Sequence, residues 1–315
     1  MFTERAVLWA YCLAPTHMGA GQGLGYVDAP VARERATNYP VLPASGLKGA
    51  LRHAIETEQD AANPLVSVDV DAVFGKDVAS EEDAAAGAMS LGDASLVAFP
   101  VRCLEEAFVW VTSPSALARL RRVVELGGSP VPWEIPRPDE GTALVADTRG
   151  RAHVLLDQYR FEARSADAVA QVGRIIGDGI GQEPLGRLVG ADLADRLRRD
   201  LVVVPDSTFG FFMEGLLPVD PHVRIAETGT AVEGQLFFVE QVPAETVFAA
   251  PLLMAPRIER RGDGTAGQGR GSATGALAAL ANTVHDGLGG LLQIGGRASS
   301  GSGLVGVRIE SQGGQ

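Results

Sequence analysis

Lysine is almost missing from this chain of 315 residues. Only Lys48 and Lys76 occur among its 27 basic side chains, so nearly all of its positive charge is arginine. Cysteine is equally scarce. Cys12 and Cys103 stand alone with no paired spacing, which fits small core residues better than metal ligands. The five histidines, His17, His53, His153, His222 and His285, form no His-x-x-x-His pair, so a structural zinc site is not expected. No apolar run approaches the roughly 18 residues of a membrane helix. The first residues lack the basic-then-apolar pattern of a secretory leader, and the cytoplasm is the expected compartment, with no membrane partner. No internal repeat of fixed period is present.

What is there describes a soluble globular chain. Hydrophobic residues make up 46% and charged residues 21%, and the length suits one elaborated domain or two small ones. The formal net charge of −12 is unusual for a nucleic-acid binder, because phosphate neutralisation dominates such affinity. Two readings fit. Arginine forks suit phosphate, and acids cluster elsewhere, as in Glu81–Asp83, so charge is expected to segregate by face. The preference for arginine over lysine also fits plain coding bias.

The segment from His17 to Arg52 concentrates the chemistry. Gly19, Gly21, Gly23 and Gly25 alternate and lead to one carboxylate, Asp28; Arg33 and Arg35 follow. The glycines match neither a Walker loop nor a dinucleotide fingerprint. They allow a positive φ and close backbone approach, as in a mobile turn or an RNA contact. Ser45 is a candidate N-cap for a helix whose stripe is Leu47, Leu51, Ala54 and Ile55. Lys48 and Arg52, four apart, share a different face, and a helix N-terminus favours phosphate. The same residues also fit an ordinary amphipathic helix with a solvated basic face, and Asp28 fits a turn before Pro30.

The order His17, Gly19, Gly21, Gly25, Asp28, Pro30, Arg33, Glu34, Thr37, Pro40, Pro43 and Leu47–Arg52 resembles the signature of the RAMP superfamily of CRISPR proteins. Within it the pattern is closest to the repeated backbone subunits of type III-B (Cmr) effectors. Ala44-Ser45-Gly46 departs from the usual Gly-Ser-Ser. Three further blocks resemble the same group in the same order: Gly92–Pro114, with Cys103 in place of a serine, Phe237–Phe248, and the glycine-rich Leu291–Val305. Residues 115–200 match poorly.

The resemblance implies an α+β fold, a modified ferredoxin-like (RNA-recognition-motif-like) palm with long insertions and a β-hairpin thumb. It implies a single RAMP domain over 1–315, a catalytic, RNA-facing loop over 15–44, a thumb insertion over 205–235 and a mobile loop over 257–274. It further implies an endoribonuclease that depends on a divalent cation, Mg2+ or Mn2+, and cuts target RNA at six-nucleotide intervals by 2′-hydroxyl attack. Products would be a cyclic phosphate and a 5′-hydroxyl. Asp28 takes the catalytic slot and a weak metal role shared with RNA phosphate. His17, Arg33, Ser45, Lys48 and Arg52, with Gly295, Gly296, Arg297, Ser300 and Gly301, would contact RNA. Phe209, Met213 and Arg224 would belong to the thumb, although the apolar ones also fit a core. Expected partners are CRISPR guide RNA, target RNA, copies of the chain in a filament and other Cmr-type subunits.

Local pattern predicts a strand over Arg5–Ala14, a long irregular excursion, then the Ser45 helix. It predicts a strand over Met89–Pro100 and a helix from Pro114 to Glu125, started by Ser113 and stopped by Gly127. A proline-rich loop spans Val131–Asp147, and helices span Ala166–Ile180, Gly186–Arg199 and Ala276–Leu292. Strands cover Glu233–Val242 and Leu304–Glu310. Two other readings stay open. A guide-RNA scaffold, or a type III-A paralogue, would leave cutting elsewhere; a metabolic enzyme would bind a small nucleotide through the glycines.

Overall fold

The computed structural model describes residues 2–311 apart from 22, 24, 77–85, 129–132, 191, 256, 261–265 and 272–274. The acidic run Glu81–Asp83 lies outside the described residues. Strand β1 (Glu4–Cys12) divides its side chains by parity. Ala6, Leu8, Ala10 and Cys12 enter one apolar cluster, while Val7, Trp9 and Tyr11 enter a second. Successive strand side chains point to opposite faces, so a strand apolar at every position needs cover on both sides.

The chain continues through β2 (Val41–Leu42), α1 (Ala44–Asp60), α2 (Val70–Phe74), β3 (Met89–Leu91), β4 (Ala94–Cys103), β5 (Ala107–Thr112) and α3 (Pro114–Leu126). Then come β6 (Thr142–Val145), β7 (His153–Leu156), β8 (Tyr159–Ser165), α4 (Asp167–Gly181), α5 (Leu185–Val189), α6 (Leu193–Asp200), β9 (Leu201–Val203) and α7 (Asp206–Gly215). The last part holds β10 (Val219–Ile225), β11 (Ala231–Glu240), β12 (Val247–Met254), β13 (Arg257–Arg260), β14 (Ala266–Gly271), α8 (Ala276–Asn282), β15 (Leu291–Gln293) and β16 (Leu304–Ser311).

The result is a mixed α+β fold. One 12-stranded sheet runs β15-β16-β1-β12-β4-β5-β9-β6-β8-β7, with β2 also beside β4 and β3 beside β12, and β7 also pairs with β4, so the second half curls into a barrel-like ring. Its central strands β16, β1, β12 and β4 are antiparallel neighbours throughout. Helix α1 lies between β1 and β4 in the chain, and α8 between β12 and β16. Both cover one face, with Leu47, Leu51, Ile55, Leu277 and Leu280 in the first cluster. Helices α3, α4 and α6 cover the other, with Leu117, Leu120, Val172, Ile176 and Leu197 packed around Trp9 and Trp110. Gly179 lets α4 lie directly on Trp9, because a Cβ there would come within 2.3 Å of the indole.

Several expected elements are redrawn. The Ser113 cap is present, accepting from the Ala116 N–H, and the helix ends at Gly127. The run expected over Gly186–Arg199 breaks at Gly190, whose φ of 94° is one a side chain resists, into α5 and α6. The proline-rich loop contains β6. The run expected over Ala276–Leu292 stops at Asn282, widens into a π turn over Thr283–Gly287, and gives way to β15. Residues expected as a loop over 257–274 include the hairpin β13–β14; the rest lies outside the described residues.

Phe209 and Met213 are corrections. Both were expected in a hairpin, yet they sit on α7 and are fully buried. With Phe212 they recur at spacings of three and one, which places all three on one helical face. Phe209 meets Tyr39 edge-on at 5.0 Å between ring centres. The projecting element begins later. It is the two-stranded hairpin β10–β11, which carries Arg224 and leaves Val223, Ile225, Leu236, Phe237 and Phe238 exposed.

Candidate nucleic-acid interface and cleavage site

The glycine-rich excursion is paired rather than irregular. Ala32 donates to Met18 O at 2.7 Å, Ala20 donates to Pro30 O at 3.0 Å, and Gly19 bridges Val31. Gly23 closes the tip by donating to Asp28 O at 2.9 Å. A Cβ on Gly23 would come within 2.2 Å of Val27 O, so only glycine fits this turn.

Asp28 is held from the other side by β11. The Phe238 N–H donates to its Oδ2 at 2.7 Å. Ala29 then runs parallel to Val239, its N–H donating to Phe238 O at 3.1 Å and its carbonyl accepting from the Glu240 N–H at 3.0 Å. The carboxylate is exposed, and Oδ1 has no partner among the described residues. An exposed, oriented carboxylate is a proton acceptor or a single ligand for a hydrated cation. Among the described residues no group of three or more His, Cys, Asp or Glu side chains clusters as a metal site. A cation at Asp28 therefore has to draw its remaining ligands from water and RNA phosphate, which suits Mg2+ or Mn2+ bound weakly.

Arg33 is committed to protein oxygen. Its guanidinium donates to Asn38 O and Met213 O, both at 2.8 Å, and to Glu240 Oε1 at 2.5 Å. Glu240 Oε2 accepts from the Val31 N–H at 3.0 Å. This pair ties the signature loop to the base of the hairpin and to α7. Its neighbours in the motif are structural too. Glu34 accepts from Thr37 Oγ1 and from Arg119 of α3, and Arg119 also lies over the Tyr39 ring. Glu240 was visible in the sequence within Phe237–Phe248, but nothing in its spacing marks it as Arg33's partner across 207 residues.

His17 links three segments. Its Nδ1 lies 2.8 Å from Glu240 O, a carbonyl that only accepts, so Nδ1 carries the proton. Its own carbonyl accepts from the Gly296 N–H at 3.0 Å. Gly295, at φ 73°, has room for no side chain, because a Cβ would come within 2.2 Å of His17 O. Arg297 and Gly301 also take left-handed backbone, and Ser300 lies exposed in the short 3₁₀ turn between them.

Ser45 is not the cap of α1. Pro43 occupies that position, Ser45 is the exposed second residue of the helix, and Asp93 supplies the capping oxygen, accepting from the Ala44 N–H at 2.8 Å. The helix starts two residues earlier than the serine pattern predicts. An acid from β4's approach already faces the helix dipole. Lys48 and Arg52 do share one face. Lys48 Nζ donates to Met89 O at 3.2 Å, while Arg52 holds Glu56 and Gly75 O. Burial, and then the Arg52 charge, push the Lys48 pKa below the ordinary lysine value.

A guide phosphate on this face would reverse that shift. Lys48 is expected to titrate higher with guide RNA bound than without, so binding weakens as the pH climbs through the free-protein pKa toward the bound one. With only two lysines in the chain, NMR titration of the Lys48 and Lys76 signals reads this directly. An unmoved Lys48 removes it from the guide path.

Comparison with known proteins places this geometry in context. The RAMP superfamily model matches residues 9–306. The chain belongs to the RAMP superfamily. It is 29% identical over 304 residues to the CRISPR system Cmr endoribonuclease Cmr4 of Pyrococcus furiosus, covering 95% of this chain and 94% of that protein. The crystal structure of oligomeric Cmr4 from Pyrococcus furiosus superposes with a TM-score of 0.68 at 24% identity, covering 98% of this chain and all of the other. A subunit in the cryo-EM structure of type III-B Cmr-beta bound to cognate target RNA superposes at 0.69 with 20% identity, covering 98% of each chain. The RAMP fold is thus shared along almost the whole length, including residues 115–200, where the sequence blocks are silent.

Proposed function

We propose that this chain is the repeated backbone subunit of a type III-B CRISPR effector, binding guide RNA and cutting complementary target RNA at six-nucleotide intervals. Asp28 carries the reading: the one acid of the glycine-rich segment is exposed, oriented and seated at the root of a projecting apolar hairpin. The Pyrococcus furiosus relative is named a Cmr endoribonuclease, and a structural neighbour is bound to cognate target RNA. The first favours a nuclease over a passive scaffold, and the second an RNA binder over a small-nucleotide enzyme.

The palm is ferredoxin-like in this reading. Strands β1, β4, β12 and β16 form two β-α-β units whose sheet order, fourth-first-third-second, is the one that fold requires. The hairpin β10–β11 is the thumb, set later than the sequence suggested. Its exposed Val223, Ile225, Leu236 and Phe238 suit wedging between bases, which unstacks them for about a few kcal/mol per step. Lys48, Arg52 and Ser45, with the glycine-rich loop around Gly295 and Gly301, hold the guide. Phosphate contacts of this kind fix position without reading sequence, which is left to base pairing. Arg33 holds the loop in place rather than touching RNA.

Head-to-tail stacking of copies makes an open filament, and other Cmr-type subunits cap it. The oligomeric Cmr4 structure supports such stacking. No helix among the described residues is long and apolar enough to cross a membrane, in keeping with action in the cytoplasm.

At a cut site the thumb turns one target nucleotide out, and its 2′-oxygen lines up with the adjacent phosphorus. Asp28 accepts the 2′-hydroxyl proton. The new P–O2′ bond forms as the P–O5′ bond breaks, leaving a cyclic phosphate and a 5′-hydroxyl. A divalent cation held by Asp28 and RNA phosphate supplies charge neutralisation at the phosphate when bound. Chelation with EDTA is expected to stop cutting while sparing target binding, and mass spectrometry of native products is expected to find cyclic phosphate ends. Full cutting in excess EDTA, or 3′-hydroxyl ends, would refute this chemistry.

A further inference from the structure

Arg297 is held differently from the paired arginines around the site. Arg33 is tied to Glu240, Arg119 to Glu34 and Arg52 to Glu56, but Arg297 makes no ion pair among the described residues. Its guanidinium lies over the Phe237 ring, 5.4 Å from the centre. His222, directly across the hairpin from Phe237, stacks on the same ring at 5.5 Å and 24°. Arg297 adopts φ 69°, a left-handed backbone that favours glycine, in a loop pinned by the Gly296 N–H to His17 O. Its Nε is buried and has no hydrogen-bond partner among the described residues. A buried charged donor left unpaired is costly, and such groups mark places where something outside the chain supplies the acceptor.

The next residue along the strand decides what that is. Phe238 donates its N–H to Asp28, while Phe237 carries Arg297. A cation and an acid, neither with a charged partner among the described residues, thus neighbour consecutive residues of the same hairpin root. Stacking on Phe237 fixes the guanidinium plane before substrate arrives.

We propose that Arg297 is a catalytic residue that binds the scissile phosphate of the target strand, not the guide. The proposal rests on the nuclease reading above. As the 2′-oxygen attacks, its proton passes to Asp28 and the P–O5′ bond breaks. Negative charge builds on the two non-bridging oxygens, and the Arg297 fork donates to them. The departing 5′-oxygen takes a proton from water.

The test uses the assembled guide complex and single-turnover cutting by Arg297→Ala, Arg297→Lys and Asp28→Ala. Arg297→Ala is expected to cut about a hundredfold more slowly, with guide and target binding unchanged. Free guanidinium should restore part of that rate, which a merely structural arginine would not allow. Arg297→Lys keeps charge but loses the fork, so it should fall between; it also serves if the alanine variant fails to fold. Native-rate cutting by Arg297→Ala overturns the proposal. So does weakened guide binding with a shallower salt dependence and no guanidinium rescue. If Asp28→Ala still cuts, the nuclease reading itself fails. If only Asp28→Ala is inactive, the failure belongs to Arg297 alone.

Discussion

Asp28→Ala is expected to slow target cutting by at least about a hundredfold while leaving target binding intact, the loss typical of removing a general base. The fold should barely notice. Asp28 is exposed, and its one hydrogen bond, from the Phe238 N–H, contributes about 1 kcal/mol. Asp28→Asn sharpens the test, because an amide oxygen still accepts from Phe238 but cannot take a proton at neutral pH. It should be as inactive as the alanine variant. Restored cutting in the asparagine variant would mean that Asp28 only positions the loop. Cutting rates at single turnover, beside filter-binding of the target, separate the two roles.

Glu240→Ala is expected to cost the fold about 3 kcal/mol, the low end for breaking a buried ion pair. The pair is nearly enclosed, with 17% of the Arg33 side chain and 10% of the Glu240 side chain accessible. Removing the acid strands the Arg33 charge and also leaves the Val31 N–H without its acceptor. Glu240→Gln keeps an acceptor and should cost less. Urea unfolding of the chain measures both. Because Glu240 joins the signature loop to β11, the alanine variant should also lose cutting, but through a misplaced Asp28. That distinguishes it from Asp28→Ala, which loses cutting at full stability. An unchanged unfolding midpoint for Glu240→Ala would show that the pair does not hold the loop.

Much of the fold was legible because local signals governed it. β1 and β16 are rich in β formers, and α3 starts and stops at the residues expected, Ser113 and Gly127. α4 follows its apolar spacing. What failed was what depends on distant partners or on a break in pattern. Gly190 split a helix whose apolar spacing runs on across it. Asp93, far along the chain, took the capping work assigned to Ser45. Phe209 and Met213 were set in the thumb by position in the family pattern, although their spacing with Phe212 is helical.

The site was legible as an inventory and not as a set of pairings. Asp28, His17 and the C-terminal glycines were named, and the structure brings them together at the hairpin root. The motif arginine looked like a phosphate contact because sequence shows a charge without its counter-charge. Glu240 supplies that counter-charge from the far end of the chain. The reverse holds for Arg297, which has no acid partner among the described residues, a fact that spacing does not show.

The most direct test of the central claim, that every copy of this chain cuts at its own site, is an assembly made from mixed native and Asp28→Ala copies. Target fragments are sized after one turnover. The account predicts cuts at six-nucleotide intervals whose total falls in proportion to the fraction of variant copies, with the spacing unchanged. Cutting that stays at full strength when all copies are Asp28→Ala would place the nuclease in another subunit and contradict it.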